Sequence, residues 1–290
     1  MTRYVLITPA HNEEAFIART IASVVSQTVR PLRWVVVNDA STDSTREIVQ
    51  SQIRQHDFVR LVNVTRSSGR HFGNKVRAFN RGLEELEGLD FDFIGNLDAD
   101  ISFGPDYVGN VLREMERDPA LGIAGGWVHT RVGDGFRPQA VAPDSVAGAV
   151  QMFRRACFEQ IGGYMALPEG GIDAAAEVTA RSYGWKVHTL PDHHVFEHRR
   201  TSSATYRPLA ARLAEGRRMH SLGYGFLFFL ARTVYRALEP PRFVGSAAAL
   251  YAFVSCKVRG APILLPQQTV RYLRTEQSRK LKRLLVDGRY

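Results

Sequence analysis

Only two cysteines, Cys157 and Cys256, occur in 290 residues. That is too few for a disulfide framework, so a reducing, cytoplasmic setting is expected. No secretory signal is legible, because residues 1–9 read as a short strand rather than a charged segment followed by a long apolar one. No apolar run reaches the ~20 residues that a spanning helix needs. The longest, residues 225–231 and 244–256, stop short, and Lys257 and Arg259 interrupt the second before residues 261–265 resume it. Internal repeats and low-complexity stretches are absent too, which argues against solenoid and linker architectures. Acidic residues all but vanish from the end of the chain. Residues 199–290 hold 4 Asp/Glu against 18 Lys/Arg, a net +14, whereas residues 1–198 carry −5. A basic tail behind an acidic front suits phosphate-rich surroundings, and with no nucleic-acid module in sight an anionic membrane is the better match than nucleic acid.

What is present in the first third is an alternation of buried strand and amphipathic helix. Residues 4–8, 33–37, 59–64 and 91–97 are short apolar runs with strand character. Between them, residues 13–26, 44–55 and 76–86 follow helical periodicity, with Ser41, Thr42 and Asp43 as capping residues for the second. This order predicts an α/β fold with a doubly wound, mostly parallel sheet. After Asp100 the rhythm breaks into a mixed region, with strands at 121–132, 146–154, 185–190 and 194–198 and a helix at 173–183. From about residue 206 the chain turns helical, apolar and basic. The expected organisation is a catalytic domain over 1–204, split at residue 100 into two halves, and a helical segment over 205–290.

Four polar clusters fall at the carboxyl ends of predicted strands or in loops just beyond, where open parallel sheets bind ligands. They are residues 9–14 (PAHNEE), 38–43 (NDASTD), 96–100 (NLDAD) and 170–173 (GGID). Asp98 and Asp100, one residue apart at a strand end, can address a single hard cation whose other ligands are diphosphate oxygens; a solvated turn is the competing reading. Asp39 can accept hydrogen bonds from a base N–H. Glu13 caps its helix or reaches ribose hydroxyls. Lys75 reads either as a solvated lysine at a helix start or as a charge that neutralises donor phosphates, with Arg70 and His71 close enough in sequence to compete. Asp173 reads either as a helix N-cap or as a base, and Glu177, one turn later on the same face, is the fallback base. His194 and His198 without a cysteine make a poor zinc site.

The strings at 9–14, 37–45 and 96–100, in this order and spacing, resemble the family 2 glycosyltransferases with the GT-A fold, over roughly residues 3–200. The resemblance implies a nucleotide-binding half (residues 1–100) in which Pro9, Ala10, Asn12, Glu13, Asp39, Lys75 and Asp98 face a UDP- or GDP-type sugar donor. It implies that Asp100 holds Mn²⁺ or Mg²⁺, with Asp98 nearer the ribose or a metal-bound water and His198 completing the metal site. Asp173 stands where the family often has Glu-Asp; here Ile172 replaces the preceding acid, and Arg181 lies farther on than the usual arginine. Inverting transfer to an unidentified carbohydrate, lipid-linked or small-molecule acceptor follows from Asp173 as base. The rival readings are a sugar nucleotidyltransferase and a non-catalytic carbohydrate-binding protein. The first wants a Gly-rich phosphate loop after strand one, which residues 9–14 lack. For the tail, core helices packed on the catalytic domain compete with a segment lying on the cytoplasmic face of a membrane.

Overall fold

A computed structural model of the chain describes residues 2–65, 73–199 and 208–287, with side chains to 283. Strands β1 (Tyr4–Ala10), β2 (Arg33–Asp39), β3 (Val59–Val64) and β4 (Phe93–Asn96) pair in parallel in the order β3-β2-β1-β4. Period-two alternation feeds two cores. Leu6, Trp34 and Val36 face helices α1 (Ile17–Val25), α2 (Thr45–Ile53) and α4 (Tyr107–Arg117). Val5, Ile7, Val35 and Val37 face α3 (Gly73–Glu84), α5 (Arg155–Ile161) and α6 (Ile172–Ser182). Val35, Val36 and Val37 are all fully buried, and each such side chain contributes about 1.5–3 kcal/mol over leaving it in water.

The other half of the sheet is mixed. β8 (Met152–Arg154) lies antiparallel to β4, and β6 (Leu121–Val132) antiparallel to β8. β9 (Lys186–Glu197) runs parallel to β6, β5 (Ile101–Phe103) closes the edge antiparallel to β9, and β7 (Gly135–Pro138) folds back on β6. The two short strands expected at 185–190 and 194–198 are one strand with a bulge. Leu190 sits opposite Gly126 and His194 opposite Trp127, so residues 191–193 loop out between them. A Cβ at Gly126 would stand 2.1 Å from the His193 carbonyl oxygen, so only glycine fits there. The strand expected at 146–154 shrinks to Met152–Arg154, and the residues before it form a loop against α6.

The chain divides into two compact units, residues 1–168 with 172–201, and residues 202–290 with 169–171. The second is helical: α7 (Pro208–Ser221), α8 (Phe226–Tyr235), α9 (Val244–Val258) and α10 (Gln267–Asp287). Its core is small, with Met219, Phe229, Ala249 and Phe253 packed together and the Phe229 and Phe253 rings stacked at 4.6 Å. Gly216 lets α7 approach α9 so closely that a Cβ would meet the Ala249 carbonyl at 2.1 Å. Glu215 is buried between Arg212 (3.0 Å), Arg232 (3.6 Å) and Arg236. Among the described residues, no helix is long and apolar enough to cross a membrane.

Candidate active site

The loops that follow β1 and β2 are tied to each other. The backbone N–H groups of Asn12, Glu13 and Glu14 donate to the side chains of Ser41 (3.0 Å), Thr45 (2.7 Å) and Asp43 (3.1 Å). In return, Thr42 N–H donates to the Asn12 side-chain Oδ1 (2.8 Å) and Ser44 N–H to the Glu14 carboxylate (3.0 Å). None of the three residues expected to cap α2 is its N-cap, which is Ser44 with no side-chain capping bond; Asp43, one residue earlier, accepts from Thr45 N–H at 3.1 Å, and Ser41 serves the facing loop. Helix α1 starts at Ile17 rather than residue 13, because the N–H groups of both Phe16 and Ile17 donate to the Glu13 carbonyl in a turn. Asn12 (φ 56°) and Ala40 (φ 52°) occupy the left-handed region. Asparagine tolerates it; for alanine it costs about 1–2 kcal/mol, strain held beside the strand-end Asp39. Asp39 itself is buried, and its carbonyl oxygen lies 2.7 Å from His11 Nδ1.

Beyond β4, Asp98 and Asp100 point to opposite partners. Lys75 Nζ donates to Asp98 Oδ1 at 2.5 Å. Burial alone would lower the Lys75 ammonium, but Asp98, with Asp173 and Asp100 farther off, outweighs it and holds the group above its ordinary value. Asp100 is buried, and its carboxyl is pushed up, first by burial and then by the charge of Asp98. Arg199 answers that charge, with Nε 3.1 Å from Asp100 Oδ2 and its other nitrogen on Glu13. Glu13 is itself raised to about 7, by burial against the opposing pull of Arg199. His198 donates its backbone N–H to the Asp100 carbonyl (2.8 Å), while its ring meets Ser102 Oγ (2.7 Å) and Arg19 (3.2 Å). Burial and the nearby arginines keep the ring below its usual range, favouring the neutral imidazole. His194 goes elsewhere, packing edge-on against His129 at 4.9 Å.

A cavity of about 460 Å³ opens beside this cluster, lined by Lys75, Asp98, Asp173 and Glu197 and by the loop residues 139–142 and 145–149. Its volume suits a small ligand. Asp173, in the first turn of α6, lies against Gly148, where a Cβ would sit 2.8 Å from its Oδ2. Glu177, one turn on, does not line the cavity. It is buried beneath the same loop and accepts from Ser145 Oγ (2.7 Å), Val146 N–H (2.8 Å) and Gln151 Nε2 (3.0 Å). Its carboxylate therefore holds the loop that carries Gly148 toward Asp173. Glu197 accepts from Thr130 Oγ1 (2.9 Å) and Gln139 Nε2 (3.2 Å) and shares the cavity wall.

The donor set fits a hard divalent cation in part. Two carboxylates, Asp98 and Asp100, one residue apart, with the His198 backbone N–H on the Asp100 carbonyl and a neutral imidazole beside them, are chemically suited to one. In this arrangement, however, Asp100 is engaged by Arg199 and the His198 ring by Ser102 and Arg19. Among the described residues no cluster of three or more His, Cys, Asp or Glu is drawn together tightly enough to hold a metal ion. Pro9 and Ala10 end β1 beside β2, in register with Val37 and Asn38. Arg70 and His71 lie outside the described residues. Sequence reasoning missed Arg199, Glu197 and Gln139. The only hint for the first was its place directly after His198, and nothing marked the other two as cavity residues.

A parallel half-sheet with strand-end carboxylates, joined to a mixed half, is the architecture of the GT-A fold. Residues 5–167, more than half of the chain, match the family described as Glycosyl transferase family 2, and the chain belongs to that family. Over 113 residues it is 30% identical to a chondroitin synthase of Escherichia coli, a stretch that is 39% of this chain and 15% of that protein. The chain spans less than half the length of the curated relatives it matches. Its fold is shared with S. aureus TarS 1–349, solved in complex with UDP-GlcNAc, at a TM-score of 0.57 and 14% identity over 100% of this chain and 93% of that one. The mannosyltransferase PcManGT from Pyrobaculum calidifontis, solved with GDP-Man and Mn²⁺, gives 0.56 at 19% identity over 99% and 88%. At these identities the likeness to solved structures is one of fold.

Proposed function

We propose that this glycosyltransferase takes a UDP- or GDP-linked sugar, depends on Mn²⁺ or Mg²⁺, and inverts the anomeric centre with Asp173 as base. The observation that carries the reading is one cavity whose wall joins Lys75, Asp98 and Asp173. Pro9, Ala10, Asn12 and Glu13 after β1 and Asp39 after β2 form the donor side, with Asp39 toward the base and Glu13 toward the ribose. Asp100, Asp98 and His198 would hold the cation, which when bound supplies positive charge to the diphosphate leaving group. Lys75 adds a second positive charge to the phosphates. The acceptor hydroxyl attacks the anomeric carbon, its proton passes to the Asp173 carboxylate, and the sugar–phosphate bond breaks with its electron pair on the nucleoside diphosphate. Gly148 keeps Asp173 in place by leaving room for its carboxylate. The acceptor is a hydroxyl of a carbohydrate, lipid-linked or free, and the basic C-terminal unit attaches the enzyme to an anionic membrane surface.

The neighbours solved with UDP-GlcNAc and with GDP-Man and Mn²⁺ support this choice of donors and cation. A thermal-shift screen of UDP-, GDP- and dTDP-sugars with and without Mn²⁺ tests it. A specific donor should raise the melting temperature through mass action, and only with the cation. A shift from no nucleotide sugar would remove the donor assignment.

A further inference from the structure

Helix α9 is apolar on both of its sides, and only one side is covered. Gly245, Ala249, Ala252 and Phe253 are buried in the core of the C-terminal unit. The opposite side carries Val244, Ala247, Tyr251, Val254 and Val258, spaced by three, four, three and four residues, so that they form one stripe along the helix. All five are exposed, Tyr251 at 66% and Val258 at 81%. Leu238 (70%) and Phe243 (64%) extend the apolar surface into the turn before α9. A helix apolar all round is ordinarily buried all round. Here one side is bare among the described residues.

We infer that this stripe of α9 seats in the interface of an anionic lipid bilayer, with the helix lying in the membrane plane. Length and charge choose this occupant. With 15 residues, α9 is about 22 Å long, short of the ~30 Å hydrocarbon core, so it can lie in the surface but not cross it. Arg242 precedes the stripe and Lys257 and Arg259 interrupt or follow its far end, all three exposed. Over residues 226–260 the only acid is Glu239, already held by Arg212 (2.9 Å) and Arg236 (2.8 Å). Lipid phosphates match this pattern of apolar centre and cationic ends. A second copy of the chain would also accept a three-four stripe. It would, however, set one C-terminal unit of net +11 (16 Lys/Arg and 5 Asp/Glu) against another, and like-charge pairing opposes that dimer. The inference rests on the proposed membrane attachment and adds to it the surface that enters the lipid.

The test uses the full chain with phosphatidylglycerol-containing vesicles, pure phosphatidylcholine vesicles, and acyl chains brominated at known depth. Tyr251→Trp places a reporter on the stripe, and Val244→Ser/Tyr251→Ser/Val258→Ser removes its apolar character at exposed positions. We expect binding to the anionic vesicles, quenching of the reporter by brominated chains, and a remainder of binding that survives about 1 M salt, where the Debye length falls to about 3 Å. That remainder should drop about tenfold or more in the triple variant. If the chain binds anionic vesicles but the reporter is not quenched and the triple variant keeps the salt-resistant remainder, attachment by charge stands and the α9 inference is overturned. Sedimentation equilibrium without lipid covers the other occupant: a dimer that the triple variant dissolves would assign the stripe to a second copy and overturn it too. Wild-type chain that ignores anionic vesicles overturns both the attachment and the stripe. Should the triple variant fail to fold, the reporter alone decides.

Discussion

The two units of this chain put the same pair of groups, a buried carboxylate and an arginine, to opposite uses. In the unit that holds the cavity, Asp100 and Glu13 share one guanidinium, that of Arg199, and Asp98, Asp173 and Glu197 stand nearby on the cavity wall. In the C-terminal unit the proportion is reversed, with two carboxylates, the buried Glu215 and the more exposed Glu239, among three guanidinium groups, those of Arg212, Arg232 and Arg236. Where carboxylates are in excess, the site has a standing demand for positive charge that a cation can meet. Where arginines are in excess, the acid acts as an internal staple and the surplus positive charge is left for the surface. Apolar side chains divide in the same way: among the described residues, 12 of the 17 exposed large hydrophobics fall between Leu209 and Ile263. One unit turns its unsatisfied chemistry inward, toward a ligand. The other turns it outward.

The largest effect should come from the inward-facing side. Asp173→Asn keeps the shape of the side chain but cannot take the acceptor's proton, so turnover should fall roughly 10²- to 10⁴-fold while donor affinity stays within about twofold. Separate measurement of kcat and of donor Kd checks this, and an equal loss in both would make Asp173 a binding residue. Next comes the staple. Glu215→Ala removes the buried anion shared by three arginines and leaves only the more exposed Glu239 on Arg212 and Arg236, and urea denaturation of the full chain should record a loss of about 3 kcal/mol. An unchanged midpoint would mean that water already screens those charges, and the contrast between the units would lose its energetic content.

The smaller effect sharpens the role of Glu177. Burial lifts its carboxyl from an ordinary 4.5 to about 7, against the pull of Val146 N–H, Ser145 and Arg181. The folded chain thus keeps a proton that the unfolded chain releases, and the stability this provides is full below about 4.5 and lost as pH rises through about 7. Glu177→Gln should flatten that fall, which is on the order of 2–3 kcal/mol between about pH 5 and about pH 8. Part of the slope should remain, because burial also lifts Glu13 to about 7. A variant whose stability follows the wild-type curve throughout would show that Glu177 is ionised in the fold across this range.

How much of this could be read from residues alone depends on the range of the interactions. β1 to β4 were legible because each is a short apolar run, and β1, β2 and β4 carry a polar cluster at the end as well, a local signal that the parallel sheet merely gathers. Asp98, Asp173 and Lys75 were legible as separate candidates, but their meeting on one wall depends on β8 pairing with β4 and on the loop before it, which no local pattern encodes. The bulge in β9 was read as a strand break, because a Pro191-Asp192-His193 insertion looks like a turn unless the partner Gly126 is known. Helix α4 was overlooked although Tyr107, Val108, Val111, Leu112 and Met115 carry the right spacing. Arg199 could not be assigned a partner, since its contacts to Asp100 and Glu13 span 99 and 186 residues. The charge asymmetry of the tail was plain in the composition, but that α9 leaves one apolar stripe uncovered emerged only from its packing.

The central claim is that Asp100 belongs to a cation-dependent donor site, and calorimetric titration of UDP- and GDP-sugars tests it most directly, with Mn²⁺ present or withheld, on the wild-type chain and on Asp100→Ala. The account predicts that one donor class binds the wild type only when Mn²⁺ is supplied and that this binding disappears in the variant. Donor binding that is as tight in Asp100→Ala as in the wild type, or indifferent to the cation in both, would contradict it.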